Sequence, residues 1–115
     1  MILEMKTRRV EPDIHVVELI GSLRIGHSLS FIETDMRRLI KEGARKIVID
    51  LSQLQYTDSA GIGIFIGVNG EVEQAGGILR VAGAHGMVAK SFTISHIDRV
   101  ILMDENVDVA CRSFA

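Results

Sequence analysis

The sequence has no tryptophan, a single tyrosine and only 4% aromatic residues, too few flat side chains for a platform that stacks bases or sugars. It has one cysteine, Cys111, so no disulfide can close within the chain, and a reducing, cytoplasmic setting is expected. It has no block of like charge. Thirteen Lys and Arg against fifteen Asp and Glu leave a net charge of −2, without the basic footprint that direct nucleic-acid or anionic-lipid binding needs. Long apolar runs are also missing, since charge or glycine breaks each one, so no membrane insertion is expected. Glu4 stands where a secretory leader would need an uninterrupted apolar stretch. The four histidines, His15, His27, His85 and His96, show no ligand spacing and have no cysteine partner, so neither a metal centre nor a cofactor is expected.

What is present fits one globular domain over residues 1–115. Hydrophobic residues make up 47% and charged residues 24%, ordinary proportions for a packed protein. A chain of this size buries roughly two thirds of its unfolded surface, enough for a core without metal or disulfide staples.

The only proline lies in Glu11-Pro12-Asp13, a turn between extended runs over Ile2–Val10 and Ile14–Leu19, which together read as an N-terminal β-hairpin. Gly21 and Gly26 bracket an expected loop containing Ser22-Leu23-Arg24. From Ser28 the period changes. Leu29, Ile32, Met36, Leu39 and Ile40 recur at helical spacing, Ser30 and Glu33 form a candidate capping box, and Gly43 is a stop. Ile47-Val48-Ile49 reads as a strand buried on both faces, as in a parallel sheet covered by helices. Further on come a strand at Ile78–Ala82, a loop at Gly83–Gly86, and a short helix with Met87, Val88, Ser91 and Phe92. A last strand is expected at Val100–Met103, and a terminal amphipathic helix between Glu105 and Phe114, with Cys111 as a packing residue.

Residues 60–77 read two ways. Gly61 to Val68 alternates as a strand does and Asn69-Gly70 is a hairpin signal, so local pattern alone favours a β-hairpin. The helical reading puts the N-cap at Asp58 or Ser59 and the stop at Gly76-Gly77, but each interior glycine costs on the order of 1 kcal/mol relative to alanine.

Chemistry concentrates where this segment begins, in Tyr56-Thr57-Asp58-Ser59-Ala60-Gly61-Ile62-Gly63, just past a buried-type strand. A plain helix cap explains much of it. A nucleophilic serine would need small residues on both sides of a strained turn, and Thr57 stands two positions before Ser59. A phosphate-cradling loop would need a third glycine where Ile66 stands, and no lysine or arginine occurs between Lys46 and Arg80. Asp50 and Asp58 could hold a cation, although capping and solvation account for both. A third reading makes Ser59 itself the modified group. At a helix N-terminus a phosphate adds about −1.5 to −2 charge where backbone N–H groups are free, changing the outer surface without unfolding the domain. Ile62, Ile64, Phe65, Ile66 and Val68 would wrap such a helix beyond one core face, and Gly63, Gly67 and Gly70 would form a bare ridge for a partner.

These residues resemble the STAS domain family, the fold of bacterial anti-sigma-factor antagonists. The resemblance rests on Ile47-Val48-Ile49-Asp50-Leu51-Ser52 followed by Asp58-Ser59-Ala60-Gly61-Ile62-Gly63. It extends to Gly21-Ser22-Leu23, Gly76-Gly77 before Ile78-Leu79-Arg80-Val81, and Ile97-Asp98-Arg99-Val100-Ile101. It implies a single α/β domain whose mixed, mostly parallel sheet of four to five strands carries an N-terminal hairpin and packs against helices. It also implies a helix, not a hairpin, after Gly61. The implied role is non-enzymatic: the protein captures an anti-sigma factor that is also a serine kinase, is switched off by phosphorylation of Ser59, and is reset by a phosphatase. Thr57 is a lesser candidate for modification. Asp58, Ser59, Ala60, Gly61 and Ile62 are the residues it places at the partner. The alternative within the family is a constitutive scaffold subunit of a stress-signalling or lipid-transport ABC assembly. Arg24 departs from the pattern, because many members carry an acidic residue there.

Overall fold

The computed structural model describes residues 3–114, without the side chains of His27 and Ser28. Five strands form one sheet in the order β1-β2-β3-β4-β5. The strands are β1 (Glu4–Val10), β2 (Ile14–Leu23), β3 (Lys46–Thr57), β4 (Ile78–Ala82) and β5 (Leu102–Asp104). Only β1 and β2 are antiparallel, joined through the Glu11–Asp13 turn; every later neighbour pair is parallel. The connections are α1 (His27–Lys41), α2 (Ser59–Gln74) and α3 (Gly86–Ile94), the last followed by a 3-10 turn at Ile97–Arg99, and the chain closes with α4 (Val107–Arg112). Ile2, the first residue of the expected hairpin run, lies outside the described residues, as does the side chain of His27.

The two sheet faces differ in what they bury. Odd positions of β2 and β3, among them Val17, Leu19, Ile47, Ile49 and Leu51, pack beneath α1, α2 and α3 with Met36, Phe65, Val72 and Phe92. Phe65 and Phe92 meet as a tilted pair, with ring centroids 5.2 Å apart, in the geometry aromatic quadrupoles favour. On the other face Ile14, Val16, Val48 and Ala82 form a smaller cluster under Ala110 of α4. Val48 and its neighbours Ile47 and Ile49 are therefore covered from both sides, as the unbroken apolar run predicts. Half-buried Cys111 joins the smaller cluster, where burial pushes its thiol pKa up.

Several expectations are corrected. β2 runs on to Leu23, so Gly21 and buried Ser22 belong to the strand rather than to a loop, and the loop before α1 is only Arg24–Gly26. β3 likewise continues to Thr57, with a register irregularity between β2 and β3 letting both strands reach the same rim. Ser30 does not cap α1: the helix begins at His27 after Gly26, which places Ser30 inside the first turn. Glu42 and Gly43, the latter at φ +107, end α1 behind the basic residues Arg38 and Lys41, as expected. The last strand is shifted to Leu102–Asp104 because the 3-10 turn takes up Ile97–Arg99. Residues 59–74 are a helix, as the family resemblance implies, and not the hairpin that local alternation favours.

Candidate functional site

The C-terminal ends of β2 and β3 reach one rim of the sheet, with Leu23 opposite Thr57. α1 and α2 begin just beyond them. Asp58 joins these elements. Its backbone N–H donates to the Leu23 carbonyl at 3.2 Å, while its carboxylate accepts from the Ile25 N–H at 2.9 Å and the Gly61 N–H at 3.0 Å. One oxygen thus caps α2 and the other holds the loop that leads into α1. The Ile25 and Gly61 amides, in that order of effect, keep the Asp58 carboxyl below the ordinary carboxylate pKa.

Gly61 is buried where α2 crosses Leu23 and Thr57. A Cβ there would collide with the Thr57 hydroxyl oxygen and lie 3.0 Å from Leu23 Cγ, so only glycine lets the first turn sit this close to the strand ends. The resulting geometry sorts the hydroxyls. Thr57 is 2% exposed and its hydroxyl donates to the Asp58 carbonyl, which removes it from reach as an alternative modified residue. Ser59, the first residue of α2, is exposed.

Of the five residues expected at a partner, Ser59 is exposed, Asp58 and Ala60 are half-buried, and Gly61 and Ile62 are buried. Gly61 and Ile62 pack inward in the free domain and fix the helix start. The expected apolar wrap around α2 is corrected by the same inward packing. Ile62, Ile64, Phe65 and Val68 face the interior of the domain, and only Ile66 remains 48% exposed. Gly63, Gly67 and Gly70 do lie on the open face, where an added Cβ would meet nothing within 4 Å. Over Ser59–Gly70 the outer surface of α2 is thus Ser59, three bare glycine positions and Ile66, bordered at the rim by Ile25, 79% exposed, and exposed Glu73 and Gln74 follow in its last turn.

Two features of this rim carry no sequence signal. The Ile25 N–H that holds Asp58 is a backbone donor, which any residue but proline supplies. Arg24 stacks its guanidinium over the Tyr56 ring, 4.4 Å from the centroid, a pairing set by β2–β3 register rather than by spacing. Elsewhere, Asp50 is buried and accepts from the Ser52 N–H at 3.0 Å, a local side-chain-to-backbone bond at the register irregularity of β3. His85 lies 2.9 Å through Nε2 from the Ser52 carbonyl, His96 occupies a left-handed turn at φ 61, and His15 lies half-buried within β2. No group of three or more His, Cys, Asp and Glu side chains gathers among the described residues. No described helix is long and apolar enough to cross a membrane.

Comparison with known proteins agrees with this architecture. A family model described as the STAS domain matches residues 5–110. The chain is 24% identical over 93 residues to the anti-sigma-B factor antagonist of Staphylococcus aureus, covering 81% of this chain and 85% of that protein. Among solved structures, it resembles an anti-sigma factor antagonist from Mycobacterium paratuberculosis at TM-score 0.84 and 16% identity, covering 96% of this chain and 92% of the other. The phosphorylated form of the Bacillus cell fate determinant SpoIIAA superimposes with TM-score 0.76 at 23% identity, covering 97% of this chain and all of that one.

Proposed function

Because this chain belongs to the STAS domain family, we propose that it is an anti-sigma-factor antagonist, a binding module that captures an anti-sigma factor bearing serine kinase activity and releases it when Ser59 is phosphorylated. The observation that carries this reading is the placement of Ser59: an exposed hydroxyl at the first position of α2, on a turn that Asp58 fixes from both sides. Partner affinity comes from the close approach that Gly63, Gly67 and Gly70 permit, with apolar contact from Ile66 and Ile25. Because Ile62, Ile64, Phe65 and Val68 pack internally, shape rather than a broad apolar face supplies that affinity. A dianion at the head of this ridge opposes docking by charge and by the cost of desolvating it. A phosphatase restores the binding form.

A switch from nearly all bound to nearly all free needs a differential of about 5.5 kcal/mol, or roughly 10⁴-fold in affinity. Titration with the anti-sigma kinase is expected to give tight binding for wild type and Ser59→Ala, weaker binding for Ser59→Asp, and loss of binding for the phosphorylated protein. Equal affinities across these forms would return the chain to a constitutive scaffold in which Ser59 only begins a helix. Intact-mass analysis of protein isolated from its own cells is expected to show a fraction heavier by one phosphate, absent in Ser59→Ala.

A further inference from the structure

We propose that Arg24 takes up the phosphoryl group carried by Ser59 and leaves the ring of Tyr56 to do so, so that modification rearranges a second surface element beside the serine. The proposal rests on the phosphorylation of Ser59 put forward above. Three observations carry it. Arg24 is tethered to the site by backbone rather than by its own side chain. The bond from Asp58 N–H to the Leu23 carbonyl and the bond from Ile25 N–H to the Asp58 carboxylate bracket it on both sides, and both end on the residue before Ser59. Its side chain is exposed and has no carboxylate within 4.0 Å among the described residues, so its one strong contact is the face of Tyr56 at 4.4 Å. The rim has little other positive charge to offer, because no lysine or arginine occurs between Lys46 and Arg80, a stretch that includes the end of β3 and all of α2.

A cation over a solvent-exposed ring is held weakly, whereas a guanidinium donating two parallel N–H bonds to phosphate oxygens is among the strongest polar contacts a surface can form. The nearest fixed anion, the Asp58 carboxylate, already accepts two amides and adds repulsion toward a phosphate at Ser59, which the Arg24 charge offsets. Exchange of the ring for the phosphate therefore runs downhill once Ser59 is modified. The exchange also bares Tyr56. In β3 the Thr57 side chain is buried and the neighbouring Tyr56 is partly exposed, so the rearrangement carries the signal from the start of α2 to the adjoining end of the central strand.

The test uses the full chain with phosphoserine encoded genetically at position 59, so that its outcome does not depend on whether any kinase acts there; failure of the earlier reading shows separately, in the cellular mass analysis. The second ionisation of phosphoserine, ordinarily near pH 6, is followed by ³¹P NMR in wild-type and Arg24→Gln backgrounds. A guanidinium on the phosphate lowers the midpoint in wild type by about half a pH unit relative to Arg24→Gln. Arg24→Lys retains part of that shift, because it keeps the charge and loses the bidentate geometry. The Arg24 side-chain protons, shifted upfield by the Tyr56 ring in the unmodified protein, are expected to move downfield on modification. A phosphate midpoint that is the same in wild type and Arg24→Gln overturns the proposal.

Discussion

α1 and α2 begin at the same rim of the same sheet, yet they are held by opposite means. α1 starts after Gly26 without a side-chain cap, and its stability comes from one apolar stripe with Ile32 and Met36 buried and Arg37 and Arg38 outside. α2 has no comparable polar face. It is fixed at its first turn by the Asp58 carboxylate, clamped against Leu23 and Thr57 through Gly61, and bare along Gly63, Gly67 and Gly70. A helix maintained by its stripe tolerates change at its start, whereas a helix maintained by its start can leave its outer face free for another molecule. The Arg37–Glu71 ion pair, 2.9 Å, links the two along their length, but both partners are solvent-accessible and such pairs contribute little.

Breaking this contrast should cost most at Gly61. Gly61→Ala forces the Thr57 hydroxyl and Leu23 apart and is expected to destabilise the domain by about 1–3 kcal/mol in urea unfolding, the usual range for overpacking. Asp58→Ala removes the cap and the bond to Ile25, with an expected loss of about 0.5–2 kcal/mol and faster amide exchange at both Ile25 and Gly61. The charge of Asp58 adds a pH signature. Its folded-state pKa is depressed, so its contribution is complete above the unfolded carboxylate pKa and fades as pH falls through the folded value. Wild type should accordingly lose more stability than Asp58→Asn when acidified from pH 6 to pH 3.

Smaller effects sharpen the same comparison. Gly67→Ala, on the open face, should stabilise α2 by about 0.4–1 kcal/mol while weakening partner binding, a pairing of effects that no buried position would give. Ser30→Ala in α1 should change unfolding free energy by no more than about 0.5 kcal/mol, since that serine caps nothing.

How far each helix can be read from sequence follows from the same physics. α1 declares itself because Leu29, Ile32, Met36, Leu39 and Ile40 repeat at its period, and Gly43 marks its end. Only its beginning is misread, because Ser30 and Glu33 imitate a capping box within the first two turns. In α2 the glycines and alternating isoleucines imitate a strand, and burial of nearly every apolar side chain removes the polar face that would give the helix away. The site divides similarly. Asp58 and Ser59 stand out as a cap and a hydroxyl, while the inward orientation of Gly61 and Ile62 depends on the contact with Leu23, a residue far away in the chain.

Sequence by itself determined the N-terminal hairpin, the helix over Leu29–Ile40, the doubly covered strand at Ile47–Ile49, and the Asp58-Ser59 pair at a helix start, because each is written in neighbouring residues. Tertiary structure decided that residues 59–74 form a helix, that Thr57 is hidden while Ser59 is open, and that Arg24 rests on Tyr56. Those outcomes depend on β2 and β3 ending side by side, a juxtaposition made by parallel pairing across more than thirty residues of chain, which no local pattern encodes.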